Sequence, residues 1–172
     1  MNLKLLEDIF TPINKLGRNP KESLKLLDDV FASKKTVLYF PAGLVSRKIK
    51  GKIIDLDWKK TFVTKARQHK RNIIPTFING VNSNFFYNLA NLRKRLGIKA
   101  NIEMFFLVNE MYKQRNKHID IYFGSPIVVH NLKGKKKDDE IAKDIKAIVY
   151  QLSMQDFSSV TPKIIDFSKT SN

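Results

Sequence analysis

The 172-residue sequence contains no cysteine, which excludes disulfides, thiolate nucleophiles and cysteine-based metal sites. With no disulfide framework to suggest an oxidising compartment, a cytosolic setting is the default expectation. No apolar run approaches the roughly 18 to 20 residues of a membrane-spanning helix. The opening MNLKLLEDIF has neither an apolar signal core nor a small-residue cleavage site. Glycine is scarce, at 7 residues, and none falls in a phosphate-cradling loop or a Gly-x-Ser-x-Gly elbow. The three histidines, His69, His118 and His130, are not spaced as metal ligands, so no metal site is expected. Acidic residues are also short: 16 against 32 basic ones, a formal net charge of +16.

What is present is globular in character. Hydrophobic residues make up 42% of the chain, twelve phenylalanines among them, enough for one domain with a sizeable core. The charge excess points to an anionic partner, either nucleic acid or a negatively charged membrane surface. A lysine- and asparagine-rich codon bias explains part of such a total equally well, so distribution is more telling. Between Arg47 and Arg71 lie ten Lys/Arg and two Asp, half of the whole excess in 25 residues.

Strand-like and helix-like patterns alternate, which predicts an α/β domain over residues 1–152 and a polar tail over 153–172. Asn19-Pro20 with Glu22 reads as a helix start, followed by Leu24, Leu27, Val30 and Phe31 on one face. TVLYF (36–40) reads as a strand buried on both faces. A second helix is capped by Asp57 and turns Trp58, Phe62, Val63 and Ala66 inward. NIIPTFI (72–78), IEMFFLV (102–108) and HIDIYFG (118–124) read as further strands. A helix spans 84–96 and stops at Gly97, and a last helix runs from Asp138 to about Leu152 with Ile141, Ile145, Ile148 and Val149 as its stripe. GKKKDD before it is a solvated loop.

Two constellations suggest chemistry. His118 and Asp120 share a strand face, the placement of an acid–base pair, but their polar surroundings favour a surface pair. His69, in RQHKR, reads as a structural residue at a helix end. The other constellation is TVLYFPAGLVSRKIKGK (36–52). A strand ending in Phe40-Pro41-Ala42-Gly43 delivers its next residues to the carboxyl edge of a sheet, where open α/β sheets bind ligands. Gly43 permits a positive φ or close backbone approach, and Ser46 and Arg47 offer a hydroxyl and a cation to an anion. An ordinary strand-to-loop turn with a solvated basic loop accounts for the same spacing.

FPAGLVS (40–46) resembles the Phe-Pro-Glu-Gly-Thr-Arg-Ser block of the glycerolipid acyltransferases, the family of lysophosphatidic acid acyltransferase. IFTPINK (9–15) looks like the family's preceding block and NIIPTFI like its Val-Ile-Pro-Val block, in the family's order. SNFFYNLANLRKRLGIKANIEMFFLVNEMY is similar to hemolysin-like bacterial members of that family. The resemblance implies a glycerol-3-phosphate acyltransferase-like mixed sheet flanked by helices. It implies acyl transfer from an acyl carrier protein or coenzyme A thioester to a lysolipid, with no metal or resident cofactor. It also implies peripheral attachment at the cytoplasmic face of the inner membrane.

Phe40, Pro41, Gly43 and Ser46 match the Phe-Pro-Glu-Gly-Thr-Arg-Ser block by position, and Pro75 matches the Val-Ile-Pro-Val block. On the resemblance, Lys15, Ser46 and Arg47, the last just beyond the block, would hold the acceptor or donor anion, while Phe40, Pro41, Gly43 and Pro75 would shape the site. Ala42, Leu44 and Val45 stand where the family has Glu, Thr and Arg, and Lys15 stands where it has an arginine. The lost arginine puts a phosphorylated acceptor in doubt. Either Arg47, one or two positions along, takes over its role, or the acceptor differs, and the hemolysin-like resemblance then points to a lyso-aminolipid of ornithine- or glycine-lipid type. Lysophospholipid and lyso-aminolipid both stay open as acceptors. The family's catalytic His-x-x-x-x-Asp is absent: no histidine here has an aspartate five positions on. The chain is therefore expected to lack the first part of the fold and to be inactive alone. In the helix 84–96, Phe86, Tyr87, Arg93, Lys94 and Arg95 are expected to meet an anionic membrane, with Phe85 and Leu89 in the core; aromatics packed on the sheet with solvated charges account for the same mixture. The rival expectation is a basic nucleic-acid-binding module without catalysis. Against it, the aromatics fall at core spacings rather than between the cations as stacking platforms.

Overall fold

The computed structural model describes residues 21–131 and 136–154. Lys15, the 9–15 block, the Asn19-Pro20 helix start, the first two residues of the GKKKDD loop and nearly all of the polar tail lie outside the described residues. Helix α1 (Lys21–Ala32) carries Glu22 in its first turn, at the positive end of its dipole. It buries Leu27 and Phe31, whereas Leu24 is half exposed, so the inward face is narrower than its periodicity suggests.

The 36–40 segment belongs to no sheet among the described residues. It alternates instead: Val37 and Tyr39 are half-buried, while Leu38 and Phe40 are 73% and 65% exposed. Tyr39 anchors it, its ring lying 6.1 Å from Phe31 and 5.9 Å from Phe62. Burial pushes its phenol pKa up, against a smaller lowering by Thr61.

The basic run that reads as a loop is a hairpin. β1 (Arg47–Ile49) pairs antiparallel with β2 (Lys52–Ile54), Ile49 opposite Lys52. Lys50 at φ 47° and Gly51 at φ 80° close the turn, both in the left-handed region that a two-residue hairpin loop requires.

Helix α2 (Thr61–Gln68) starts at Lys60 rather than Asp57, and buries Phe62, Val63 and Ala66. These meet Ile141, Ala142 and Ile145 of α5 (Asp138–Leu152) and Val129 to make the main core, with Tyr39, Trp58, Ile73 and Ile127 packed around it. Ile148, expected in the α5 stripe, is 37% exposed. Asp138 ties the two helices, accepting from Thr64 Oγ1 at 2.6 Å and Arg67 Nη1 at 2.7 Å. His69 is structural: its Nε2 sits 2.9 Å from Asp28 Oδ1 and joins α2 to α1, with Lys65 on the same carboxylate.

β3 (Thr76–Ile78) pairs antiparallel with β4 (Ile121–Phe123), Phe77 opposite Tyr122. Both strands are shorter than their apolar runs. Helices and strands are interspersed along the chain, as expected of an α/β domain, but among the described residues the strands form two separate antiparallel pairs rather than one mixed sheet. Helix α3 (Asn84–Arg95) is capped by Ser83, whose side chain accepts from the Phe86 N–H, and the chain leaves it through Gly97 at φ 70°.

The expected strand 102–108 is helical: a 3-10 turn (Ile102–Phe106) runs into α4 (Leu107–Tyr112). The physical reason is Glu103 and Glu110, seven residues apart and therefore on one helical face, both pointing inward at 0% and 1% exposure. A strand would place 103 and 110 on opposite faces and strand one acid away from its partners.

Candidate functional site

The loop 41–47 is held at both ends. Pro41 accepts at its carbonyl from the Lys59 N–H at 3.1 Å, and the Gly43 N–H closes a turn onto Phe40 O at 3.0 Å. Gly43 adopts φ 67°, the left-handed conformation its position in the motif suggested. Ser46 Oγ donates to Asp55 Oδ1 at 2.6 Å, and the indole of Trp58 donates to the other carboxylate oxygen at 3.3 Å. The Asp55 N–H donates to the Tyr150 hydroxyl at 2.8 Å. Lys146 Nζ donates to the carbonyls of Asp55 and Leu56 at 3.0 and 2.9 Å. Helix α5 thus fixes the residue that fixes Ser46. Burial pushes the Tyr150 phenol pKa up, so the hydroxyl stays protonated in neutral solution.

Arg47 is the centre of the arrangement. Its Nη1 donates to Val45 O at 3.0 Å, and its Nη2 to Glu103 Oε1 at 3.0 Å. Arg93 reaches the same carboxylate from α3, Nη2 3.3 Å from Oε1, and also donates to Ile98 O at 2.8 Å. Its Nε lies 2.8 Å from Oε2, close enough for charge attraction yet outside hydrogen-bond alignment, so neither atom has a hydrogen-bonding partner. Two guanidiniums, each 13% exposed, share one fully buried carboxylate. The cluster carries a net charge of +1: losing either arginine leaves a neutral pair, whereas losing Glu103 leaves two cations with no counter-ion.

Several expected site residues are therefore placed differently. Ser46 and Arg47 do flank one loop with Phe40, Pro41 and Gly43, but both are engaged by the protein's own carboxylates. Pro75 is buried at the start of β3, where its carbonyl accepts from Gly124 N–H, and it contributes packing rather than surface. Phe86 and Tyr87 are 0% and 2% exposed, so neither is available to a membrane; the accessible aromatic of α3 is Phe85, at 53%. The assigned face is off by one residue, a 100° rotation that turns Phe85 outward and Phe86 inward. Arg93 is turned into the Glu103 cluster, whereas Lys94 and Arg95 are exposed. His118 and Asp120 form the expected surface pair at 2.9 Å, the histidine side chain 88% exposed.

Glu103, Asp55, Tyr150 and Lys146 escaped the sequence reading. Glu103 alone left a signal, a single charge inside the apolar run IEMFFLV, which demands a buried partner. A separate shallow groove of about 380 Å³ is lined by Phe123 to Ile127, Ile148 and Leu152, none of them in the loop.

An acyltransferase family model matches residues 1–155. The chain belongs to this acyltransferase family. It is 45% identical over 152 residues to a lyso-glycine lipid O-acyltransferase of Bacteroides thetaiotaomicron, covering 88% of this chain and 56% of that protein. A lyso-glycine lipid O-acyltransferase of Phocaeicola vulgatus is 44% identical over 152 residues, 88% of this chain and 54% of that protein. This acyltransferase chain thus spans about half the length of the curated relatives it matches. No solved structure matches it. Among the described residues, no helix is long and apolar enough to cross a membrane.

Proposed function

We propose that this chain forms the acceptor-holding part of an enzyme that transfers a fatty acyl group to the hydroxyl of a lyso-aminolipid of glycine-lipid type. The observation that carries the reading is the loop Phe40–Arg47, fixed through Glu103 and Asp55 beside a cluster of net charge +1. A single positive charge complements the carboxylate of an amino-acid headgroup better than a phosphate monoester of nearly two negative charges. Valine at position 45, where the resembled block has arginine, points the same way. The names and identities of the relatives support the lysolipid class.

The acyl donor is an acyl carrier protein or coenzyme A thioester. The reaction is nucleophilic substitution at that thioester, and it needs a general base on the acceptor hydroxyl rather than a metal or a resident cofactor. No His-x-x-x-x-Asp occurs in these 172 residues, so the chain alone binds the acceptor without turning it over. The enzyme works from the cytoplasmic face of the inner membrane as a peripheral protein.

Equilibrium binding of a lyso-glycine lipid and of lysophosphatidic acid, both below their micellar concentrations, tests the acceptor class. The glycine lipid is expected to bind at least tenfold tighter, and Arg47→Met to abolish the preference. Tighter binding of lysophosphatidic acid refutes the headgroup assignment. Tight binding of RNA or DNA in a salt-dependent filter assay, with no lipid binding, refutes the lipid reading as a whole in favour of a basic module.

A further inference from the structure

The segment that carries Glu103 is sorted inside out. Its two acids are buried, Glu103 against Arg47 and Arg93, and Glu110 against Ser83 and Lys113. Its large apolar side chains face water: Phe105 is 85% exposed, Val108 60%, Met111 66% and Tyr112 66%. Phe85 and Phe106, stacked edge to face at 5.2 Å, extend this surface toward α3. A water-facing helix normally presents the reverse pattern, and an apolar surface of this extent on a basic rim marks an interaction site.

The rim decides what the face meets. Between Gly97 and Ile119 the only acids are those two buried ones, while Lys99, Arg115 and Lys117 are exposed and make no ion pair among the described residues. The exposed charge of the segment that carries the apolar face is therefore of one sign. A second copy of the chain would bring like charges together. A bilayer with anionic headgroups satisfies both features, taking the apolar side chains below the headgroups and the cations among them.

We infer that the face formed by Phe105, Val108, Met111 and Tyr112, with Arg115 and Lys117 beside it, is where this protein docks on an anionic lipid bilayer. The inference rests on the lipid-substrate reading above and gives that site its orientation. The 3-10 turn Ile102–Phe106 holds Arg47 on its inner side through Glu103 and presents Phe105 on its outer side. One short helix thus separates the 41–47 loop from the bilayer, and a lysolipid leaving the membrane has a short path to it.

Flotation of the 172-residue chain with phosphatidylcholine vesicles, with and without phosphatidylglycerol, tests the docking face without any acceptor present. Recovery with the anionic vesicles and little with the neutral ones is expected. Phe105→Ser/Met111→Ser should lower partitioning at least about tenfold, from the loss of two buried apolar side chains. Arg115→Gln/Lys117→Gln should lower it by roughly fivefold per charge, and only for the anionic vesicles. Phe105→Trp keeps the face apolar, and its emission should shift to the blue when those vesicles are added.

Unchanged partitioning of the serine variant, or vesicle binding that leaves the Phe105→Trp emission unmoved, overturns the inference. So does a wild-type dimer in lipid-free solution that the serine variant dissolves. Face-dependent vesicle binding without any preference for the glycine lipid leaves the docking surface standing and removes the proposed acceptor. The opposite pair of results removes the surface and keeps the acceptor.

Discussion

Replacing Glu103 by glutamine keeps the shape of the side chain and removes its charge, leaving Arg47 and Arg93 facing each other with no counter-ion. Each guanidinium is 13% exposed and the carboxylate is fully buried, so solvent screens the change only in part. At an effective dielectric near 20, each charge pair at about 4 Å contributes roughly 4 kcal/mol of attraction, most of it offset by desolvation. Breaking such a buried arrangement from one side costs about 3 to 5 kcal/mol. Glutamine still accepts one hydrogen bond, which puts Glu103→Gln near the lower end, about 3 kcal/mol, or a melting point lower by roughly 10 °C. Urea titration followed by the single tryptophan, Trp58, measures it. The apolar replacement Arg47→Met/Glu103→Leu/Arg93→Met should come out within about 1 kcal/mol of wild type, because it removes the desolvation cost with the attraction. A loss below about 1 kcal/mol for Glu103→Gln refutes the reading of this cluster as the clamp on the loop.

The other expectations concern separate contacts. Phe86→Ala should cost about 3 to 5 kcal/mol in urea unfolding as a large-to-small change in the core, whereas exposed Phe85→Ala should cost under about 1 kcal/mol. Equal losses would put the face of α3 back where its periodicity first suggested. Ser46→Ala removes the 2.6 Å bond to the carboxylate that also holds Trp58, and should cost about 1 to 2 kcal/mol and move the Trp58 emission maximum. Burial raises the Glu110 pKa, but bonds from Lys113 and from the Ser83 N–H and hydroxyl outweigh it and hold the carboxyl below its ordinary 4.5. Its stabilisation is therefore fully present above pH 4.5 and is lost as pH falls through the lower folded value. Glu110→Gln should flatten stability against pH in that acid window and nowhere above it; an unchanged acid slope counts against the assignment. His118→Ala should leave stability within about 0.5 kcal/mol, since its ion pair lies at the surface.

Elements with long, regular periodicity were legible in the sequence. The recurrence of Phe85, Leu89, Leu92 and Leu96 at helical spacing and the stop at Gly97 locate α3 within a residue, and α5 runs from Asp138 to Leu152 as its pattern indicates. What periodicity did not supply was phase, because Phe85, Phe86 and Tyr87 are three aromatics in a row and only packing selects which turn inward. Short apolar runs were ambiguous for a different reason. IEMFFLV has the composition of a strand, yet Phe105, Val108 and Tyr112 also recur at helical spacing, and the two acids settle the choice only through partners far away in sequence. TVLYF reads as a strand by the same logic, but a strand needs a neighbour, which a local pattern does not contain. The loop itself was legible from Phe40 to Arg47; its supports on Glu103, Asp55 and Tyr150 were not, because each is set by tertiary contact.

The bonds from Tyr150 and Lys146 to residues 55 and 56 span 90 to 95 positions of the chain. During synthesis at roughly 5 to 20 residues per second, the loop waits on the order of 5 to 20 s for the helix that secures it. Through that interval Ser46 has a partner whose own position is not yet fixed, and the basic hairpin is already exposed. The loop is thus made before the helix that secures it, so a ribosome paused before Tyr150 would display Arg47 and the basic hairpin without the architecture that holds them in place.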